Sequence, residues 1–136
     1  MNEALRFTLN RSAMQLICKQ PYLDWANSFD LTQSGIWTLE QLNEDNDTFM
    51  IPQFVDPRDS IKWVEERWHV FFDNMLFDWE TDEAMWPTNR TLKMFLEWFD
   101  IQIHSLVWDM ANEPLTVEDW SGEDEVDEDE SNGMLH

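Results

Sequence analysis

Glycine and cysteine are scarce in this chain, three of the first and one of the second in 136 residues. Three glycines leave little material for a phosphate-binding loop, whose backbone has to approach its ligand closely. No G-x-S-x-G, H-E-x-x-H or C-x-x-C occurs. Cys18 has no second cysteine to join, so no intramolecular disulfide forms. No apolar run approaches the ~18 residues that a membrane-spanning helix requires. The start, MNEALRFTLNR, lacks the apolar core of a signal peptide, so the expected setting is cytoplasmic. Positive charge is the last shortage. Eight Lys and Arg face 29 Asp and Glu, for a formal net charge of -21. None of the eight lies beyond residue 93.

Against these shortages stand nine Trp and nine Phe. Disordered chains are poor in aromatics, so this composition marks a folded domain with a strongly negative exterior. Such an exterior repels nucleic acid and anionic membranes, because binding phosphates takes Lys and Arg. It attracts basic proteins and speeds their encounter at low salt.

Periodicity and punctuation predict the elements. Ser12 to Gln20 reads as a strand, and Pro21 opens a short helix to Phe29. Leu31 to Trp37 reads as a loop. Thr38 and Gln41 match a capping box. Thr48 to Phe54 reads as a second strand, with Pro52 marking an edge position or a strand end. A long helix is predicted from an Asp56 N-cap to Trp79, and another from Thr88 to Phe99 capped by Thr88 or Asn89. Ile101 to Met110 reads as the last strand. The expected fold is α+β: a small three-stranded sheet with helices packed on it, in a single domain over residues 1–112. Residues 113–136, with their acid run Glu123 to Glu130, read as a disordered tail.

The long helix carries the most specific pattern. Asp59, Glu66 and Asp73 recur every seven residues opposite its core stripe, and Glu80 would continue the line. Seven residues is about 10.5 Å of rise. Beside them run Trp63, Val70 and Phe77 at the same spacing. Either another element covers these three, or they form an exposed apolar stripe edged by carboxylates, suited to a partner with apolar anchors and a basic rim. Homodimerisation through the stripe is a third reading.

Other chemistry is thin. Cys18 could join a histidine in a nucleophilic dyad, but among apolar strand residues it reads as an inert core thiol. Trp86, Asn89 and Arg90 belong to the motif Trp86-Pro87-Thr88-Asn89-Arg90-Thr91. It is either a loop pinned by an Arg–carboxylate pair, with Asp82 and Glu83 just upstream, or a recognition element. His104 sits on the strand face of Gln102, Leu106 and Trp108, as a structural histidine or as part of a small-ligand pocket with Arg90. The tail segment Asp127 to Gly133 starts like a calcium loop, but its glycine comes one place late and the closing glutamate is missing. No metal, cofactor or catalytic residue is expected.

The combination of Asn10-Arg11-Ser12-Ala13-Met14, Lys19-Gln20-Pro21-Tyr22-Leu23-Asp24-Trp25, Trp86 to Thr91, and Met94-Phe95-Leu96-Glu97-Trp98-Phe99 leading to His104-Ser105 resembles a family of uncharacterised small acidic proteins of proteobacteria. That resemblance covers most of residues 10–115. It implies a bacterial cytosolic setting and no established activity, so no catalytic residue carries over. The expected function is a non-enzymatic acidic interaction protein that binds a basic protein, with nucleic-acid mimicry as one form of it. A small-ligand or enzymatic domain and a homodimeric module are the alternatives.

Overall fold

Burial along the strand Arg11–Cys18 alternates residue by residue, which gives the sheet one inner and one outer face. The computed structural model describes residues 7–29 and 36–120. Most of the expected loop over 31–37, the acid run and the calcium-loop-like segment lie outside the described residues. Strand β1 (Phe7–Thr8) is followed by β2 (Arg11–Cys18), helix α1 (Gln20–Asn27), α2 (Leu39–Leu42) and β3 (Thr48–Pro52). Then come α3 (Pro57–Glu66), α4 (Trp68–Trp79), a 3-10 turn at Glu83–Met85, α5 (Leu92–Trp98), β4 (Phe99–His104) and β5 (Trp108–Asp109).

The predicted sheet is present, antiparallel, in the order β3-β2-β4. Ala13 faces Met50 on one side and His104 on the other, and Leu16 faces Ile101. This register turns Ser12, Met14, Leu16 and Cys18 inward and leaves Ala13, Gln15 and Ile17 on the outer side. Pro52 ends an edge strand, as its missing N–H requires. β3 pairs with β2 only as far as Gln15. Beyond it, Cys18 N–H donates to Asn43 Oδ1 (2.9 Å) and Asn43 Nδ2 donates to the Cys18 carbonyl (3.1 Å). β1 and β5 form a second, two-stranded sheet, and Leu9 N–H donates to the Val107 carbonyl at 2.9 Å.

The core lies between the inner face of the sheet and the helices. Phe72 is its centre, with the rings of Trp98, Phe99 and Phe95 at 5.4, 5.6 and 5.7 Å. These centroid spacings are those of favourable tilted and edge-on aromatic pairs. Tyr22 crosses this layer, and its buried hydroxyl donates to the Met75 carbonyl at 2.8 Å.

The packing separates a unit of Thr8–Asp109 from a second unit that includes Met110 onward. Within the described part of the second unit, residues 110–120 form no helix or strand and are exposed.

Three expectations need correction. The helix predicted from Asp56 to Trp79 is two helices, broken at Arg67. The Arg67 N–H donates to Val64 rather than to Trp63, while its own guanidinium donates to the Trp63 carbonyl at 3.1 Å. A side-chain donor thus replaces the main-chain donor of a regular turn. The segment Ile101 to Met110 is also divided. β4 starts at Phe99 and stops at His104, so Leu106 and Trp108 do not share a strand with His104. Helix α5 is capped by Thr91, whose side chain accepts from Met94 N–H at 3.1 Å, and neither Thr88 nor Asn89 caps it. The capping box of Thr38 and Gln41 is formed as expected.

Candidate functional site

The break at Arg67 decides what becomes of the two lines on the long helix. Asp59, in the first turn of α3, is exposed, and so is Glu66, with Arg67 at 3.7 Å. Asp73 on α4 is half-buried and bound to Arg90 Nη2 at 2.6 Å. Glu80 lies beyond α4 as its C-cap, with extended backbone, and its carboxylate accepts from Asp82 N–H at 3.0 Å. The carboxylate line is therefore interrupted by one neutralised member and ends in a turn.

The apolar line shortens as well. Trp63 is half-buried and packed on the core, with the Arg67 guanidinium 4.1 Å from its ring centre. Val70 and Phe77 are each 55% exposed. Covering and exposure, the two readings of this stripe, thus apply to different members of it.

The Trp86 loop is built as a pin. Trp86 Nε1 donates to the Glu80 carbonyl at 2.7 Å, and Arg90 Nη1 donates to the Pro87 carbonyl at 3.1 Å. Asn89 takes φ 56°, a left-handed conformation that asparagine tolerates better than most residues. Arg90 reaches Asp73 across seventeen residues of sequence, and not the neighbouring Asp82, which instead caps the 3-10 turn. His104 is exposed at the end of β4, with a ring nitrogen 3.3 Å from Gln102 Oε1. Among the described residues, Arg90 bonds to Pro87 and Asp73 and His104 to Gln102, with no partner in common.

No family model, curated protein or solved structure matches this chain. Among the described residues, no helix is long and apolar enough to cross a membrane, and no group of three His, Cys, Asp or Glu is arranged to hold a metal ion. Cys18 is 5% exposed, and burial pushes its thiol up to about 12. A thiol held neutral in that way is a poor nucleophile.

Sequence reasoning missed one cluster. The last turn of α4 and the segment after α2 enclose a cleft of about 130 Å³ lined by Asp45, Asp47, Asp78 and Trp79, over Cys18 and Tyr22. Asp47 and Asp78 line it from opposite elements, the segment after α2 and the last turn of α4. Burial, then the neighbouring Asp47 carboxyl, raises Asp78 to about 6, although much of Asp78 remains exposed. No ion pair among the described residues involves Asp45, Asp47 or Asp78. The pattern that could have signalled this cluster is the run Glu44-Asp45-Asn46-Asp47, which reads as an ordinary polar loop.

Proposed function

We propose that this chain is a non-enzymatic acidic interaction protein of the bacterial cytoplasm, binding a basic protein through the exposed side of α4. The carrying observation is that Val70 and Phe77, both half in solvent, stand on the helix whose far end is crowded with carboxylates. Phe77 precedes Asp78 directly, and Glu80, Asp82 and Glu83 follow within six residues. An apolar anchor with a rim of one charge suits a partner whose own apolar contact is ringed by Lys and Arg. Close mimicry of a nucleic acid is the weaker form of this reading. Duplex DNA carries about one charge per 1.7 Å, and Asp73, central to the heptad line, is already paired with Arg90.

The test compares the wild-type chain with Val70→Asp/Phe77→Asp as bait in one bacterial lysate. The expected result is a basic protein retained by the wild type, released as salt rises, and lost with the double variant. An identical retained set for both baits, or no basic protein at low salt, refutes the reading.

A further inference from the structure

The outer face of the sheet is nearly free of carboxylates, on a chain that carries 29. The register sets Met50, Ala13 and His104 in one outer row and Thr48, Gln15 and Gln102 in the next. Both rows are open among the described residues: Met50 is 49% exposed, and Thr48, Gln102 and His104 are exposed as well. Across β2, β3 and β4 the one Asp or Glu is Asp100, and Lys19 Nζ lies 3.5 Å from it. Arg11 stands at the opposite end of β2. Beyond the Met50 row, the segments that leave β3 and β4 extend the apolar surface. Val55 is fully exposed and Leu106 half-exposed, on a cleft of about 380 Å³, while Asp56 next to Val55 is paired with Arg58 at 2.8 Å. We propose that a second copy of this chain docks here, sheet against sheet, to form a two-fold dimer.

Other occupants fit this face poorly. A basic partner finds no carboxylate rim and meets Arg11 and Lys19 instead. Nucleic acid finds no aromatic ring to stack on, and a net charge of -21 repels its phosphates. A neutral surface of amides, a hydroxyl and apolar side chains is complementary to itself, as an isologous contact requires. Gln15 Nε2 donates to Thr48 Oγ1 at 2.9 Å, and Gln102 Oε1 lies 3.3 Å from the His104 ring nitrogen. Gln15 Oε1 and Gln102 Nε2 stand outside these two bonds and supply an acceptor and a donor for amide pairs between copies. Ala13, Ile17 and Met50 supply apolar contacts for sheets packed about 10 Å apart. Stacking face to face adds no strand to either sheet.

Size and charge set how this dimer behaves. Three strands about 4.8 Å apart, over five residues of about 3.3 Å, span a plane of about 250 Å². That is small beside the ~800 Å² per partner of a standard complex, so the dimer is transient and depends on concentration. Both copies carry the same net charge, and salt screens the repulsion between them. Dimerisation therefore tightens as salt rises. A basic protein at α4 binds with the opposite salt dependence and on another face, so either interaction can fail without the other.

Sedimentation velocity of the full chain, up to about 1 mM, tests the proposal in the range of weak contacts. Runs at about 0.1 M and about 1 M salt compare screening lengths of about 10 Å and about 3 Å. The wild type should move toward the dimer mass with concentration, with an association constant several-fold higher in the higher salt. Met50→Glu/Gln102→Glu, at two exposed outer positions, should stay monomeric with its circular-dichroism melt unchanged. Val70→Asp/Phe77→Asp should dimerise like the wild type. Amide NMR spectra of the wild type need no variant: shifts that grow with concentration should map to β2, β3 and β4. A wild type that stays monomeric at the highest concentration and salt overturns the dimer. So do association that weakens with salt, shifts confined to α4, or a folded Met50/Gln102 variant that still dimerises.

Discussion

Replacing Arg90 with Met tests whether the Trp86 loop is scaffold or recognition surface. Met keeps most of the aliphatic arm and so preserves packing while removing every donor. The bond to the Pro87 carbonyl is worth about 1 kcal/mol, the typical net value of a hydrogen bond in a folded protein. The ion pair to Asp73 is short at 2.6 Å, but the two side chains are 23% and 46% exposed. That exposure brings it down from the buried range to about 1 kcal/mol. The guanidinium also lies 5.6 Å from the ring centres of both Phe72 and Trp86, which adds a few tenths more. The expected loss is about 2 kcal/mol, or a fall in Tm of about 6–8 °C for a chain of this length. Thermal melts followed by circular dichroism measure it. A cycle with Asp73→Asn should return a coupling of about 1 kcal/mol that shrinks in high salt. A loss under about 0.5 kcal/mol, the range of ordinary surface changes, with no coupling would refute the pin and make Trp86 and Arg90 candidates for partner contact.

Four further outcomes follow from the same structure. Asp59→Lys/Glu66→Lys should slow association with the basic partner and flatten its salt dependence while leaving Tm nearly unchanged, because both positions are exposed; stopped-flow binding reads the first effect and thermal melts the second. Phe72→Ala should cost about 3–5 kcal/mol, as for other large aromatic deletions from a closed core, and a loss under half of that in denaturant unfolding would mean the core collapses around the gap. Cys18 should resist alkylation in the native protein and react once the chain is unfolded, and rapid native labelling would contradict its burial. The raised Asp78 gives a defined sign: between 3.8 and about 6 the folded state holds more protons than the unfolded one, so stability should fall as pH rises through that window. Asp78→Asn should remove its share of that slope.

Much of the fold was legible because short-range rules and tertiary packing agreed. The Thr38 capping box, Pro52 at a strand end and the Asp56 N-cap each have one physical solution, and each formed. The first predicted strand formed where its residues indicated one, and Cys18 is buried in it as a core thiol. The helix break was illegible because the apolar period runs on through residue 67; only the Arg67 guanidinium, turned back onto the Trp63 carbonyl, interrupts it. The same kind of long-range choice hid the partner of Arg90. Asp82 and Glu83 are closer in sequence, yet Asp73 is the carboxylate that α4 brings within reach. The Asp47–Asp78 pair joins positions thirty-one apart, and no local pattern signals it.

The Asn43 clamp also bears on how this small sheet stays solitary. Where β3 ends, β2 would otherwise present a free main-chain donor and acceptor at Cys18, the pair a foreign strand would use to add itself. The Asn43 amide occupies both, standing in for one residue of a neighbouring strand. One side chain thereby closes a short edge against templated growth. Asn43→Ala would reopen it beside Ile17, and slow accumulation of β-rich aggregate during storage, rather than any change in binding, would be its signature.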